Sequence, residues 1–399
     1  MTTDSFHNLG ISHEILTILD QLHFKTPTPI QHQSIPAGLA GKDIIGIAQT
    51  GTGKTLAFGI PMVQRLQTIA GRGLILLPTR ELALQVNEMI QKIARSFGIS
   101  STVLIGGESM FHQINALRRR PRILVATPGR LIDHMQQKFV TLEEVSILVL
   151  DEADRMFDMG FAPQINQIIR RLPTDRQTLL YSATMPHAIV NIATAHMKLP
   201  VRVEVAPSGT AAENVEHEII VVEKEAKQPL LETVLRENQG TVLVFSRTKI
   251  GARKICRNLN FKGYRAGEIH ADRSQAQRKQ ALAGFKNGRY RILVATDIAA
   301  RGIDVKDIAL VINFDLPDNS EDYVHRIGRT GRAGREGKAI SFATPDQKWD
   351  VRDIEKLIRK TLKIVSLPGS SSFIEHAAKP ASRTRSFRPR RGSRFRKFR

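Results

Sequence analysis

Short apolar runs alternate with amphipathic stretches along most of the chain. Residues 74–77, 123–126, 147–150 and 178–181 are such runs, and their length and composition are typical of buried strands. Between two of them, residues 81–95 repeat apolar side chains at helical spacing. Strands that alternate with helices in this way predict an α/β fold with a parallel sheet.

The same alternation returns in the second half of the chain. Residues 241–245, 291–295, 309–313 and 338–343 predict the strands of a second sheet. The small, turn-prone residues that follow Ala206 predict a flexible linker between the two sheets. Because 399 residues exceed what one hydrophobic core usually holds, we expect two domains.

The predicted boundaries follow from these changes in composition. We expect the first domain at residues 1–205, the linker at 206–215 and the second domain at 216–366. From residue 367 to 399 the chain is rich in Pro, Gly, Ser and Arg, which predicts a disordered tail.

The charge of the chain indicates its class of partner. It has 59 Lys and Arg against 38 Asp and Glu, a net charge of +21, which favours nucleic acid over a merely basic surface. Residues 376–399 contain eight Arg, two Lys and no acidic residue. With 41% hydrophobic and 24% charged residues, the chain is not expected to be wholly disordered, collagen-like or embedded in a membrane.

Cysteine content and the start of the chain bear on its compartment. The single cysteine, Cys256, excludes an internal disulfide and a cysteine cluster for metal, and we expect it to be buried and inert. The first nine residues lack the layout of a signal peptide, and no apolar run has the length of a membrane span. We therefore expect a cytoplasmic protein with no membrane partner.

A glycine-rich loop follows the apolar run at 44–48. The sequence Gln49-Thr50-Gly51-Thr52-Gly53-Lys54-Thr55 separates this predicted strand from a helical pattern, which is the context of a phosphate-binding P-loop. Its backbone N–H groups would face the phosphates, Lys54 would contact the β- and γ-phosphates, and the Thr55 hydroxyl would bind Mg²⁺. The general pattern begins with glycine, where this chain has Ala48.

An acidic tetrapeptide follows another apolar run. Asp151-Glu152-Ala153-Asp154 comes directly after residues 145–150, so its carboxylates would lie at the carboxyl edge of a sheet, where open α/β sheets bind ligands. Asp151 is a candidate for holding Mg²⁺, and Glu152 for orienting or deprotonating the attacking water. Alone, the tetrapeptide is more often a solvated turn; together with the P-loop it indicates nucleotide hydrolysis.

With these motifs the chain resembles the DEAD-box ATP-dependent RNA helicases over residues 6–345. Further segments match motifs of that family in order and spacing: Phe24 to Gln31 with Phe6 upstream, residues 78–83, Gly106-Gly107, residues 127–130, Ser182-Ala183-Thr184, and residues 245–248, 275–278, 295–304 and 325–332. The resemblance implies two RecA-like domains, ATP and Mg²⁺ as ligands, and largely sequence-independent RNA binding. It also implies RNA-stimulated ATP hydrolysis coupled to local unwinding of short duplexes or to remodelling of RNA–protein complexes.

The resemblance also implies roles for individual residues. Adenine would be read by Phe24 and Gln31, and ATP would be contacted from the second domain by Gly302 and Asp304. The residues implied to contact RNA are Arg80, Gly107, Thr127, Arg130, Gln275, Arg278, Thr296 and Asp297. The residues implied to couple the ATP and RNA sites are Asp154, Ser182, Thr184 and His325.

Two arginines resemble arginine fingers. Arg329 and Arg332 lie in the other predicted domain from Lys54, so they can reach the γ-phosphate only when the domains close, and hydrolysis would depend on closure. If this segment is helical, both share a face with His325, although Gly328 and Gly331 weaken the helix prediction.

Several alternatives stay open at this point. The chain could be an RNA chaperone or clamp that uses ATP only to time RNA release, or a helicase that acts on DNA. The short N-terminus and basic tail resemble the bacterial RhlE-type branch, and ribosomal or RNA-decay proteins are possible partners. The tail, in which Phe387, Phe395 and Phe398 lie among the arginines, is expected to anchor RNA without sequence preference.

Overall fold

The computed structural model describes residues 5–49, 51–205, 215–300, 308–331 and 337–365. In the first domain these residues form a parallel sheet of seven strands in the order β3-β4-β2-β5-β6-β1-β7. The strands are β1 (Ile44–Ile47), β2 (Arg72–Leu76), β3 (Ser101–Leu104), β4 (Ile123–Ala126), β5 (Val145–Leu150), β6 (Gln177–Ser182) and β7 (Val201–Glu204).

Helices connect these strands and cover both faces of the first sheet. They are α1 (His13–Gln21), α2 (Pro29–Leu39), α3 (Lys54–Thr68), α4 (Arg80–Ala94), α5 (Met110–Arg118), α6 (Pro128–Gln136), α7 (Ala153–Asp158), α8 (Ala162–Ile169) and α9 (His187–His196). Short 3₁₀ turns lie at Phe6–Leu9 and Arg95–Phe97.

The second domain repeats this topology. Its described residues form a seven-stranded parallel sheet in the order β10-β11-β9-β12-β13-β8-β14. The strands are β8 (Val215–Val221), β9 (Val242–Phe245), β10 (Ala266–Ile269), β11 (Ile292–Ala295), β12 (Leu310–Asn313), β13 (Gly337–Ala343) and β14 (Lys363–Val365). The helices are α10 (Lys227–Glu237), α11 (Lys249–Phe261), α12 (Gln275–Lys286), α13 (Asp297–Ala300), α14 (Ser320–Ile327) and α15 (Lys348–Ile358), with a 3₁₀ turn at Lys224–Ala226.

Each sheet is buried on both faces, which explains why its central strands are continuous apolar runs rather than alternating patterns. Successive residues of a strand point to opposite faces, so Ile44 packs into one hydrophobic cluster and Ile45 into another. In the second domain Leu243 and Val244 divide in the same way. The two faces of each sheet therefore support separate helical layers.

The fold class predicted from the sequence is confirmed: two tandem RecA-like α/β domains, each with a parallel sheet. Every apolar run interpreted as a strand overlaps one, and residues 81–95 lie almost entirely in α4. Cys256 is buried as expected, and burial raises the pKa of its thiol to about 11. The predicted tail from 367 onward and most of the predicted linker lie outside the described residues.

The spacing of His325, Arg329 and Arg332 would place them on one face of a helix, but the helix in the structure ends before Arg329. α14 ends at Ile327, and Arg329 lies in the turn that follows, so His325 and Arg329 do not share a helical face. The physical reason is Gly328, which lacks the side chain that favours helical backbone and stands where the helix stops.

The two domains are in contact across a cleft. A buried guanidinium on α12, that of Arg278, donates a 2.8 Å hydrogen bond to the Glu81 carboxylate on α4. A second bridge, between the exposed Lys279 and the half-buried Glu108, also measures 2.8 Å. The structure is therefore a closed arrangement in which groups from both domains face each other.

Candidate active site and nucleic-acid interface

The glycine-rich loop leads from β1 into the first turn of α3. Gly53 caps this helix with φ of 92°, a left-handed conformation that favours glycine. Lys54 is buried, and its Nζ donates to the carbonyl of Ala48 at 3.0 Å and lies 3.9 Å from Asp151 Oδ1. The N-terminus of α3 and the Lys54 ammonium thus point positive charge at one place, as phosphate binding requires.

Asp151 follows β5 directly, opposite the loop that follows β1. The residue is 3% exposed, and its carboxylate accepts a hydrogen bond from the Glu152 backbone N–H at 2.9 Å. Burial raises the pKa of Asp151 to about 6, against the opposing effect of Lys54. The positive charge of the described residues around Asp151 therefore only partly compensates the burial of its carboxylate.

Glu152 occupies a backbone conformation that few non-glycine residues adopt, with φ of 51° and ψ of 49°. Burial alone would raise the pKa of its carboxyl, but neighbouring cations led by Arg155 outweigh burial and lower the pKa to about 2. Arg155 is 1% exposed and donates to Glu152 Oε2 at 2.6 Å. At neutral pH Glu152 is thus a carboxylate held by a buried guanidinium.

Asp154 joins the acidic tetrapeptide to the end of β6. Its Oδ2 accepts hydrogen bonds from the backbone N–H groups of Ala183 and Thr184 and from the Thr184 hydroxyl, at 2.8 to 3.1 Å. Its own N–H donates to Ser182 Oγ at 3.1 Å. Three of the four predicted coupling residues, Asp154, Ser182 and Thr184, therefore form one network of hydrogen bonds.

Gln31 lies on α2 against the glycine-rich loop. Its Oε1 accepts from the Thr28 N–H at 2.9 Å, and its Nε2 donates to the carbonyl of Gly53 at 3.0 Å. A primary amide has two N–H donors and two lone pairs, so one of each is left for a ligand. Phe24, the other predicted adenine contact, is partly buried and packs against the hydrophobic core of the first domain.

The residues implied to contact RNA follow the carboxyl ends of strands in both sheets. Arg80 starts α4 after β2, and its guanidinium lies over Gly107, where an added Cβ would clash with it. Thr127 follows β4 and caps α6, and Arg130 on α6 donates to the carbonyl of Glu108 at 3.1 Å. These groups thus line the carboxyl edge of the first sheet.

In the second domain three of the implied RNA contacts engage other side chains. Gln275 and Arg278 both donate to Glu81 across the cleft, Gln275 at the longer distance of 3.4 Å. Asp297 accepts two hydrogen bonds from the buried Arg326, at 2.5 and 2.7 Å. Thr296 follows β11, and its N–H donates to the carbonyl of Ile269 at 3.3 Å.

The segment after α14 brings an arginine to the first domain. Arg329 is buried, and its charge is near enough to Glu152 to lower the pKa of that carboxyl. A small cavity between the domains is lined by Arg329, His325 and Arg155 together with Asp322. Arg332, Gly302 and Asp304, which were also predicted to contact ATP, lie outside the described residues.

Comparison with known proteins agrees with this geometry. Residues 28–192 match the model of the DEAD/DEAH box helicase family, and residues 225–334 match that of the helicase conserved C-terminal domain. The ATP-dependent RNA helicase DbpA of Bacillus subtilis is 44% identical over 91% of this chain and 76% of its own length. The chain belongs to the DEAD-box family of ATP-dependent RNA helicases.

Other relatives support the same assignment. The DEAD-box ATP-dependent RNA helicase CshA of Geobacillus kaustophilus is 42% identical over 94% of this chain and 80% of that protein. DEAD-box helicases hydrolyse ATP, so the chain is an ATP-hydrolysing enzyme. Among the residues that the structure describes, no helix combines the length and the apolar character needed to cross a bilayer.

Solved DEAD-box structures share both domains and their arrangement. Dbp5 of S. cerevisiae bound to RNA and ADP BeF3 superposes with a TM-score of 0.83 at 30% identity, covering 91% of this chain and 96% of that one. Mss116p bound to ssRNA and AMP-PNP superposes with a TM-score of 0.82 at 29% identity, covering 90% and 78%. The closed arrangement described above therefore resembles helicases that hold RNA and an ATP analogue.

Sequence reasoning missed three residues of this DEAD-box site. Arg155 directly follows the acidic tetrapeptide and lies three residues from Glu152, a spacing that brings side chains together on a helix. Glu81 and Arg326 each lie inside a recognised motif but were not singled out. Each of the three forms an ion pair with a residue that the sequence does indicate: Arg155 with Glu152, Glu81 with Arg278, and Arg326 with Asp297. The partners of Glu81 and Arg326 lie far away in the sequence.

Proposed function

We propose that the chain uses ATP binding and hydrolysis to separate short RNA duplexes locally or to remodel RNA–protein complexes. The observation that carries this proposal is the meeting of Lys54, Asp151 and Glu152 from the first domain with Arg329 from the second. Because Arg329 reaches Glu152 only across the cleft, hydrolysis would depend on closure. RNA lying along the carboxyl edges of both sheets would favour the same closed state, so the affinities for ATP and RNA would be coupled.

We propose Mg²⁺ as the metal, held by the Asp151 carboxylate and the Thr55 hydroxyl. The donor set fits, since Asp151 is buried and the nearby Lys54 ammonium offsets the effect of burial only in part, so a divalent cation would supply the remaining positive charge. The described residues contain no cluster of three His, Cys, Asp or Glu, which suits Mg²⁺ because this ion usually binds one or two carboxylates plus substrate phosphates. Bound there, the metal would neutralise charge that develops on the phosphates.

We propose that Glu152 orients the attacking water and accepts its proton, with Arg329 stabilising the charge of the transition state. Glu152 is ionised at neutral pH, and the guanidinium of Arg155 fixes its direction. Arg332 as a second finger, Gly302 and Asp304 as ATP contacts, and Phe24 and Gln31 as the adenine pocket remain predictions. The RNA contacts also remain predictions. The observation that supports them is that these residues follow the carboxyl ends of strands in both sheets.

We also infer the finer organisation of the chain. We propose domain boundaries at 1–205, 206–215, 216–366 and 367–399, a cytoplasmic location, and protein partners in ribosome assembly or RNA decay. Membership of the RhlE-type branch is proposed from the composition of the Arg-rich segment at 376–399.

RNA preference is tested by ATPase stimulation. We expect single-stranded RNA to stimulate hydrolysis far more than DNA of the same sequence, because contacts at 2′-hydroxyl groups distinguish the two sugars. The measurement is the hydrolysis rate as a function of nucleic-acid concentration. Equal stimulation by both polymers would refute an RNA-specific enzyme and favour a helicase that also acts on DNA.

Removal of residues 376–399 is expected to weaken RNA binding and to flatten its dependence on salt. The segment carries ten positive charges and no acid, and each phosphate contact contributes about 0.7 to the slope of log affinity against log salt for single strands. Binding titrations at several salt concentrations measure this slope. An unchanged slope would show that the tail does not anchor RNA.

A further inference from the structure

The positive charge of the chain is concentrated in two segments. One is the tail at 376–399, with a net charge of +10. The other is residues 249–291, which contain twelve Lys and Arg against only Glu268 and Asp272 and so also carry +10. Of the total of +21, the rest of the chain carries only +1.

This second segment forms one edge of the second domain. It comprises α11, the edge strand β10 and α12. Between the two helices lies a cavity of about 490 Å³ along β10, which we call the basic groove; its lining includes Arg253, Arg257 and Asn260 of α11, Arg273 and Gln277 at the start of α12, and Tyr290. The one acidic residue in the lining, Glu268, is already bound by Arg273.

Several cations in or next to the groove have no acidic partner among the residues that the structure describes. Arg257 lines the groove, Arg265 and Arg289 directly precede its lining residues Ala266 and Tyr290, and Lys286 is the last residue of α12. All four are exposed and make no ion pair with any residue in the described part of the chain. Arg289 instead lies over the Tyr290 ring at 5.6 Å. By contrast, Arg253 and Lys249 share Asp272. Unpaired guanidinium groups beside amide side chains and a ring are the donors and stacking surface that RNA backbones and bases use.

The groove also begins at the cleft. Its Gln277 lies two residues from Gln275 and one from Arg278, both of which face the first domain. From there β10 runs back toward Arg265, whose carbonyl accepts hydrogen bonds from the N–H groups of Arg291 and of Ile292, the first residue of β11. A nucleic-acid strand that leaves the cleft beside α12 therefore meets the groove.

An acidic protein would fit this surface less well. Protein interfaces have an apolar centre, whereas the large exposed apolar side chains of α11 are Ile250 and Phe261 at opposite ends of the helix, about 16 Å apart. We propose that the basic groove is a second RNA-binding surface, which holds the strand beyond the cleft by its phosphates. The inference rests on the proposed function, because it requires RNA in the cleft.

Two variants of equal charge test it. The groove variant carries Arg257→Gln, Arg265→Gln, Lys286→Gln and Arg289→Gln in the full chain. The control variant removes the same charge from four exposed arginines of the first domain, through Arg118→Gln, Arg119→Gln, Arg170→Gln and Arg171→Gln. Both are titrated at several salt concentrations with a short single strand that fills only the cleft and with a longer RNA that extends beyond it.

We expect the groove variant to bind the short strand like the unmodified chain and the longer RNA more weakly. Its salt slope for the longer RNA should fall by about 2 to 3, from about 0.7 for each of four contacts. Equal behaviour of the groove and control variants on the longer RNA would overturn the proposal. Loss of short-strand binding in the groove variant would also overturn it. So would competition by polyglutamate that is as effective as competition by RNA, because that result would indicate an acidic protein partner. RNA-stimulated ATPase on the short strand reports separately on the proposed function.

Discussion

Glu152→Gln is expected to lower the RNA-stimulated rate of ATP hydrolysis by about 10²- to 10⁴-fold, the range found when a positioned general base is removed. The amide keeps the shape of the side chain, so it should leave the loop around Lys54 intact. It cannot accept a proton from water, and it loses the ion pair of 2.6 Å with Arg155. Affinities for ATP and RNA should change little, because Glu152 lies beside the reacting water in this proposal rather than on the ligands' binding groups.

The matched control is Glu143→Gln, an exposed carboxylate just before β5, at the end of the strand opposite Glu152. It should hydrolyse ATP at the unmodified rate. Strand displacement distinguishes the helicase cycle from a clamp that uses ATP only to time release. If Glu152→Gln separated duplexes through many turnovers as well as the unmodified chain, the ATPase-driven cycle would be wrong.

The sequence predicts the ATP site well because its parts are local. The loop at Gly53 and Lys54 and the carboxylates at Asp151 and Glu152 each follow a buried strand directly. Parallel strands deliver such segments to the same edge of a sheet, so a pattern read along the chain already implies their meeting. The same argument predicts the central strands, whose burial on both faces leaves continuous apolar runs.

The edges of the sheets are harder to predict. β7 and β14 are edge strands with exposed or half-buried residues, and β10 includes Gly267 and Glu268. None of these is a strong apolar run, and only pairing to a neighbour makes them strands. Ion pairs between distant segments are equally hard to predict. The structure pairs the Asp297 carboxylate with Arg326, which lies 29 residues later, and the RNA contact predicted for Asp297 stays a prediction.

Contacts between the domains are the hardest to predict from neighbouring residues in the sequence, although closure of the domains depends on them. Glu81 stands in a segment that resembles an RNA-contacting motif, but its carboxylate is buried and accepts hydrogen bonds from Gln275 and Arg278. These residues are nearly 200 positions away, so only the closed arrangement brings them together. If Glu81 faced RNA, its carboxylate would repel the phosphates, and neutralising it would tighten RNA binding. If Glu81 instead holds the two domains together, neutralising it would weaken closure.

Glu81→Gln is therefore expected to disfavour closure. Breaking a buried ion pair by removing one partner costs about 3 to 5 kcal/mol. The pair between Glu81 and Arg278 is buried only when the domains meet, so this cost falls on the closed state alone. The ratio of closed to open molecules should therefore fall by about a hundredfold or more. Energy transfer between labels on the two domains, with RNA and a non-hydrolysable ATP analogue, measures this loss. Because Cys256 is buried, cysteines introduced for labelling should react selectively.

The chain supplies its own control for that experiment. Glu108→Gln breaks the Lys279–Glu108 bridge, which has the same 2.8 Å length but an exposed lysine and a half-buried glutamate. Ion pairs that solvent reaches contribute only about 0 to 1 kcal/mol. Closure should then change little. Should Glu81→Gln instead leave closure intact and tighten RNA binding, the carboxylate would act only by repelling phosphate. A double substitution with Arg278→Gln separates the cases further: a shared ion pair makes the double variant close better than the sum of the two single losses predicts.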